Sequence, residues 1–209
     1  MHLRLQSTPQ GTHGFTLVEV ITTIAIMLTV GGGIIAFQRS LIVNTKILQS
    51  ALISEQQVRR TLQLFIGEIR GAGASAGGAY AIEAASTSSL TFYANIDKDA
   101  SIERVRYFLA TSTLKKGIVK PTGTTYNLAT EKISSIVFDM KNTSSTPVFI
   151  YFDKNYNGIS STTPLVSPIN IPSIRLIKMS LSVDPNASRS PTFQTYTTQV
   201  SLRNLKDNL

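Results

Sequence analysis

Residues 14–20 read GFTLVEV, and they open an apolar run, FTLVEVITTIAIMLTVGGGIIAF, that extends from Phe15 to Phe37. At ~1.5 Å per helical residue the run reaches about 34 Å, enough to cross the ~30 Å hydrocarbon core of a bilayer. One carboxylate, Glu19, lies near its start. A charge at the centre of such a span costs roughly 2.5–3.5 kcal/mol and less near an end, so Glu19 calls for a partner or a task. A secretory signal has a shorter apolar core followed by a small-x-small cleavage site. The run is too long for that, and GIIAFQRS at its end offers no such site. A plain signal anchor accommodates the length but leaves Gly14 and Glu19 unexplained.

The chain has 209 residues and a net charge of +8. No later apolar run approaches spanning length, so the remainder is expected to face water. It is rich in Ser, Thr, Asn and Gly, the composition of strands, turns and a wet surface. The basic residues are dispersed, clustering only at VRR (58–60) and LKKG (114–117). A nucleic-acid groove calls for a denser stripe interleaved with aromatics, so no specific nucleic acid is expected. Both histidines, His2 and His13, precede Phe15, and there is no Cys. Removal of the segment before Phe15 would leave no His or Cys, excluding the usual general base, the Ser/His/Asp and Cys/His systems, and His-ligated zinc. No enzymatic activity is expected.

From Arg39 to about Arg70 apolar residues keep helical spacing: Leu48, Leu52, Val58, Leu62, Phe65, Ile66 and Ile69. The spacing predicts one helix over 15–71, its first part (15–37) suited to a membrane. GAGASAGGAY (71–80) ends it and reads as a loop outside the core. Beyond Ala81 the period turns to two, predicting strands at 89–95, 103–110, 112–121, 132–142, 147–152, 173–183 and 192–205. Short connectors favour antiparallel pairing. The expected fold is α+β: a long N-terminal helix packed on an antiparallel sheet, with 72–209 as a β-rich globular domain.

The leader MHLRLQSTPQGTHG ends in Gly14, and FTLVE follows directly. This resembles the processing motif of type IV prepilins and type II secretion pseudopilins. The resemblance implies a cleaved leader (1–14), a prepilin peptidase acting between Gly14 and Phe15, and N-methylation of Phe15. It implies a pilin-like fold, an inner-membrane assembly platform and other pilins or pseudopilins as partners. It also implies a single-pass inner-membrane precursor with its C-terminal domain (72–209) outside the cytoplasm, and then a cell-surface or periplasmic filament. In a bundle of such helices, Glu19 can meet the Phe15 amine of a neighbour, a strongly attractive pair in a low dielectric. The segments TFYANIDKDASIERVRYFL, TLKKGIVKPTG, VFIYFD, IRLIKMSLSV and VSLRNLK resemble J-type minor pseudopilins and related minor pilins. That implies a minor subunit near the tip that helps initiate a type IV pilus or a secretion pseudopilus. A major pilin of an adhesion, motility or DNA-uptake pilus is the alternative; a signal-anchored extracytoplasmic enzyme or binding domain is a third reading.

Three further features are candidate sites. Gly31, Gly32 and Gly33 are expected to interrupt the helix as a flexible point, or to admit close helix–helix approach. Asp153, Asn155 and Asn157 alternate before Gly158 like the first half of a calcium loop, but the later Glu is missing and Asn-Gly is itself a favoured hairpin turn. Structural calcium is therefore an expectation beside that of no cofactor. Asp97, Asp99 and Glu103 read as a solvated acidic turn. No spacing singles out two carboxylates for glycosidase chemistry among these and Asp139 and Asp153. Of the aromatics Phe92, Tyr93, Tyr107, Phe108, Phe149, Tyr151 and Phe152, neighbours point to opposite strand faces; they are expected to form core, with a binding face as the alternative.

Overall fold

The computed structural model describes residues 14–156, 163–184 and 193–202. The chain divides into two compact units, one up to Ile47 and one from Leu48 onward.

Helix α1 covers Leu17–Arg70. Within the first unit its large apolar side chains, from Leu17 to Phe37, are exposed. The stretch Leu17–Val43 is long and apolar enough to cross a membrane. Its threonines suit that surrounding because their hydroxyls turn back onto the helix. Thr22 donates to the Val18 carbonyl at 2.9 Å and Thr29 to that of Ala25 at 2.8 Å. A hydroxyl bonded in this way presents mostly its methyl group to an apolar medium.

The glycine triplet does not interrupt α1, contrary to the sequence expectation: the helix runs through Gly31, Gly32 and Gly33. Three glycines weaken the helix by about 1 kcal/mol each relative to alanine. Long apolar flanks on both sides carry it through, and in hydrocarbon a broken turn would strand backbone groups without partners. The triplet leaves open space at the helix surface, with nothing within 4 Å of where a Cβ would stand.

In the second unit the amphipathic stripe is real but shorter than its sequence pattern. Val58, Leu62, Phe65 and Ile69 are buried, whereas Leu52 is 59% exposed. Phe65 stands edge-on to Tyr107, ring centres 5.5 Å apart, and lies 6.0 Å from Phe149. Edge-to-face contact of this kind adds to the gain from area alone. After Arg70 the expected break arrives, but GAGASAGGAY is not wholly outside the core. Ala72 and Ser75 are buried. Ala72 bridges to Ala94, and the Gly73 amide donates to the Tyr93 carbonyl at 3.0 Å. Small side chains let the backbone lie directly against a strand, so low helix propensity here accompanies close packing.

Among the described residues the β-structure comprises two antiparallel sheets where the sequence suggested one. The first has five strands in chain order: β1 (Ile82–Ala85), β2 (Ser89–Ala94), β3 (Glu103–Ala110), β4 (Thr113–Val119) and β5 (Lys132–Val137). The second has three: β6 (Phe149–Phe152), β7 (Leu176–Val183) and β8 (Gln194–Ser201). β1 escaped the sequence reading because IEAA has little β-branched content. The predicted strand 132–142 ends early, because Asp139 adopts a positive φ of 55° and Met140 then bridges to Val183 of the second sheet. That kink carries the chain from one sheet to the other. The sheets are also joined by the Tyr151 hydroxyl, which donates to the Ser86 carbonyl at 2.8 Å, and by the Phe149 amide, which donates to the Thr87 carbonyl at 3.0 Å. In β3 the alternation places Glu103, Val105 and Tyr107 inside, with Arg104 and Arg106 facing outward.

Candidate functional site

The residues singled out at the N-terminus fall at the start of α1. Gly14, Phe15 and Thr16 precede the helix, and Phe15 is 85% exposed. Thr16 is the N-cap: its carbonyl accepts from the Val20 amide at 3.2 Å, and its hydroxyl accepts from the Glu19 amide at 3.3 Å. Glu19 reciprocates, its Oε2 lying 3.4 Å from the Thr16 amide. This is a capping box, T-x-x-E, and the carboxylate also faces the positive end of the helix dipole. The sequence contained this signal, which a reading aimed at a distant partner for Glu19 passed over. Glu19 therefore has a local role independent of any neighbour. The expected leader, apart from Gly14, lies outside the described residues.

The acidic turn is a closed electrostatic unit. Asp97, Asp99 and Glu103 bring carboxylate oxygens within 4.8 Å of one another. Lys120 reaches into the group, 3.0 Å from Asp99 Oδ2, bonded also to Asp97 and 4.0 Å from Glu103. Bonds from the Ser101 hydroxyl and amide, then from Lys120, hold the Asp99 carboxyl well below its usual range. Asp97 and Asp99 in turn raise Lys120. Glu103 is fully buried and accepts from the Ile96 amide at 3.1 Å and the Ser101 hydroxyl at 2.9 Å. The ammonium already supplies positive charge to all three carboxylates.

Asp153 and Asn155 are adjacent, but they serve each other. Asp153 Oδ1 accepts from the Asn155 amide at 2.9 Å, and Oδ2 accepts from Asn155 Nδ2 at 3.0 Å. This is an Asx turn, the local chemistry of a hairpin. Asn157 lies outside the described residues. The structure brings two of the proposed calcium ligands together as a turn rather than as converging oxygens.

Three ion pairs that sequence reasoning did not find fix the helix and the outer sheet face. Glu68, near the end of α1, accepts from the Tyr107 hydroxyl at 2.7 Å and from Lys116. Burial, followed by the Glu68 charge and its hydrogen bond, raises Tyr107 well above an ordinary phenol. Arg104 grips Glu83 with two bonds, of 2.6 and 2.8 Å, and the Tyr93 hydroxyl adds a third at 2.8 Å. Burial, then the bond to Glu83, pushes Tyr93 up to about 12. Burial raises Glu83 as well, but the bonds from Arg104 and Tyr93 outweigh it and leave its carboxyl below the usual value. Arg106 forks onto Glu131 at 2.9 and 2.5 Å, and its guanidinium lies 4.1 Å from the centre of the Phe108 ring. Gly117, opposite Arg106 in register, makes room for this pair: a Cβ there would stand 2.1 Å from Glu131 Oε1. The basic cluster LKKG is thus partly internal. The aromatic expectation holds for Phe92, Tyr93, Tyr107, Phe149, Tyr151 and Phe152, which are buried, while Phe108 is half-buried beneath Arg106.

A scan against models of known protein families finds no match, and a search of curated proteins finds none.

Proposed function

We propose that this chain is a structural subunit of a filament of the type IV pilus or type II secretion pseudopilus kind, inserted in the inner membrane through α1 before assembly. A prepilin peptidase cuts between Gly14 and Phe15, the new amine is methylated, and an inner-membrane platform assembles the processed chain with other pilins or pseudopilins. Its place is that of a minor subunit, near the tip, where it helps initiate the filament. The globular domain stays outside the cytoplasm, and the role involves no catalysis.

One observation supports this reading above the others. A lone carboxylate stands in the first turn of an apolar helix of spanning length, directly after a Gly-Phe junction. The capping box accounts for an acceptor at Glu19, which a neutral glutamine also supplies, and the helix dipole favours a negative charge there by only about 0.3–1 kcal/mol. A charge in an apolar surround costs more than the dipole returns, and a neighbour's Phe15 amine supplies the further partner.

That distinction defines the test. The full chain and Glu19→Gln are expressed in bacteria that supply a prepilin peptidase and a filament machine. Expected are loss of the leader and N-methylation of Phe15 in both, with Glu19→Gln lost from sheared filaments. Intact, unmethylated wild-type chain in the membrane would overturn the reading. Trace abundance in filaments agrees with a minor subunit; abundance as the bulk component would make the chain a major pilin.

A further inference from the structure

Between Glu19 and Arg39 the chain carries no ionisable side chain. Both charges stand within Leu17–Val43, both are exposed, and neither forms an ion pair among the described residues. Twenty positions separate them on α1. At 1.5 Å and 100° per residue they lie about 30 Å apart along the axis and about 200° apart around it. They cannot meet within one chain, and they point to nearly opposite sides.

The axial distance matches the hydrocarbon core, ~30 Å thick. A membrane-inserted copy therefore holds Glu19 at one interface and Arg39 at the other, each within reach of headgroups and water. Copies inserted in one orientation stand at equal depth. Glu19 of one copy then remains about 30 Å from Arg39 of each neighbour. Only a copy raised along its axis by about that distance can bring the two together.

We infer that Arg39 of one copy pairs with Glu19 of a second copy staggered by twenty residues, and that this ion pair belongs to the assembled state alone. The inference rests on the filament reading and adds a second contact to it. Because the two charges occupy opposite faces, one copy offers Glu19 to one neighbour and Arg39 to another. Such a contact is heterologous and open-ended, unlike a closed dimer. It is compatible with the Phe15 amine, since a carboxylate has two oxygens and about four lone-pair sites.

The stagger places Thr23, one turn beyond Glu19, opposite Val43, one turn beyond Arg39; both are exposed. The chain has no Cys, so introduced thiols report this contact without background. The full chain carrying Thr23→Cys and Val43→Cys is treated with a short bismaleimide, in intact membranes before assembly and in sheared filaments. Expected in filaments are cross-linked species that require both cysteines, reduced at least tenfold by Arg39→Gln and retained by Arg39→Lys. The pairing needs at least two copies in one filament: a short ladder fits a tip holding a few copies and a long one a shaft, whereas a single copy per filament would overturn it. Processed chain in filaments without these species would overturn the inference and leave the filament reading standing. Equal cross-linking in unassembled membranes would overturn it too, because copies at one depth cannot adopt the stagger. Failure of processing and of filament entry, with no cross-links, would remove both.

Discussion

Replacing Glu68 by Gln tests how the end of α1 is fastened to the first sheet. The wild-type carboxylate accepts from the Tyr107 hydroxyl and from Lys116, whose side chain is only 13% exposed, as against 12% for Glu68. Glutamine keeps the shape and an acceptor oxygen but leaves the ammonium mostly buried beside a neutral group. Removing one partner of a buried pair costs roughly 3–5 kcal/mol. The residual exposure and the Tyr107 ring, 5.4 Å from the ammonium, place the expectation at the low end, about 3 kcal/mol. For a chain of this size that lowers Tm by roughly 6–12 °C. Thermal unfolding of the full chain in detergent, followed by tyrosine near-UV circular dichroism, reads the effect directly because the chain has seven Tyr and no Trp. The double variant Glu68→Gln, Lys116→Met should regain most of the loss, since it removes the stranded charge. A shift below about 2 °C for the single variant, or no recovery in the double one, would refute the reasoning.

Gly117→Ala should lower stability by about 1 kcal/mol or more, because the new methyl displaces Glu131 and breaks a partly buried ion pair with Arg106. A double-mutant cycle with Glu131→Gln should show that most of this loss vanishes once the pair is gone. Alkaline difference spectroscopy should find Tyr93, Tyr107 and Tyr151 still protonated above the ordinary phenol value of 10. Their raised values mean stability is complete below pH 10 and declines as pH rises toward about 12, where Tyr93 ionises. Glu83 gives the opposite limb: its value lies below the ordinary 4.5, so its contribution is present above that pH and is lost on acidification through the lower folded value. Glu83→Gln should flatten that limb of the stability profile, and an unchanged slope would count against the assignment. Asp153→Ala should lower Tm equally in calcium and in chelator, because the carboxylate serves its own turn; a gap between the two conditions would support a bound ion.

Periodicity made much of this fold legible. The stripe from Val58 to Ile69 and the alternation in ERVRYFLA required only spacing, and both are realised. β1 and the division into two sheets were not legible, because IEAA holds a single β-branched residue and the switch at Asp139 depends on a positive φ that sequence does not announce. At the N-terminus, Glu19 drew attention as a charge in an apolar run, yet its bond to Thr16 was written in the same T-x-x-E. The pairs Glu68–Lys116 and Arg106–Glu131 were hidden for a different reason. They join residues 48 and 25 positions apart, and only the folded register brings them together.

The reciprocal bonds between Thr16 and Glu19 have a consequence for the proposed cut after Gly14. No residue ahead of Phe15 takes part in them, so trimming the leader would leave the opening turn wound. The liberated terminus would then be carried on a rigid mount instead of a frayed tail, its position fixed before any other copy arrives to receive it.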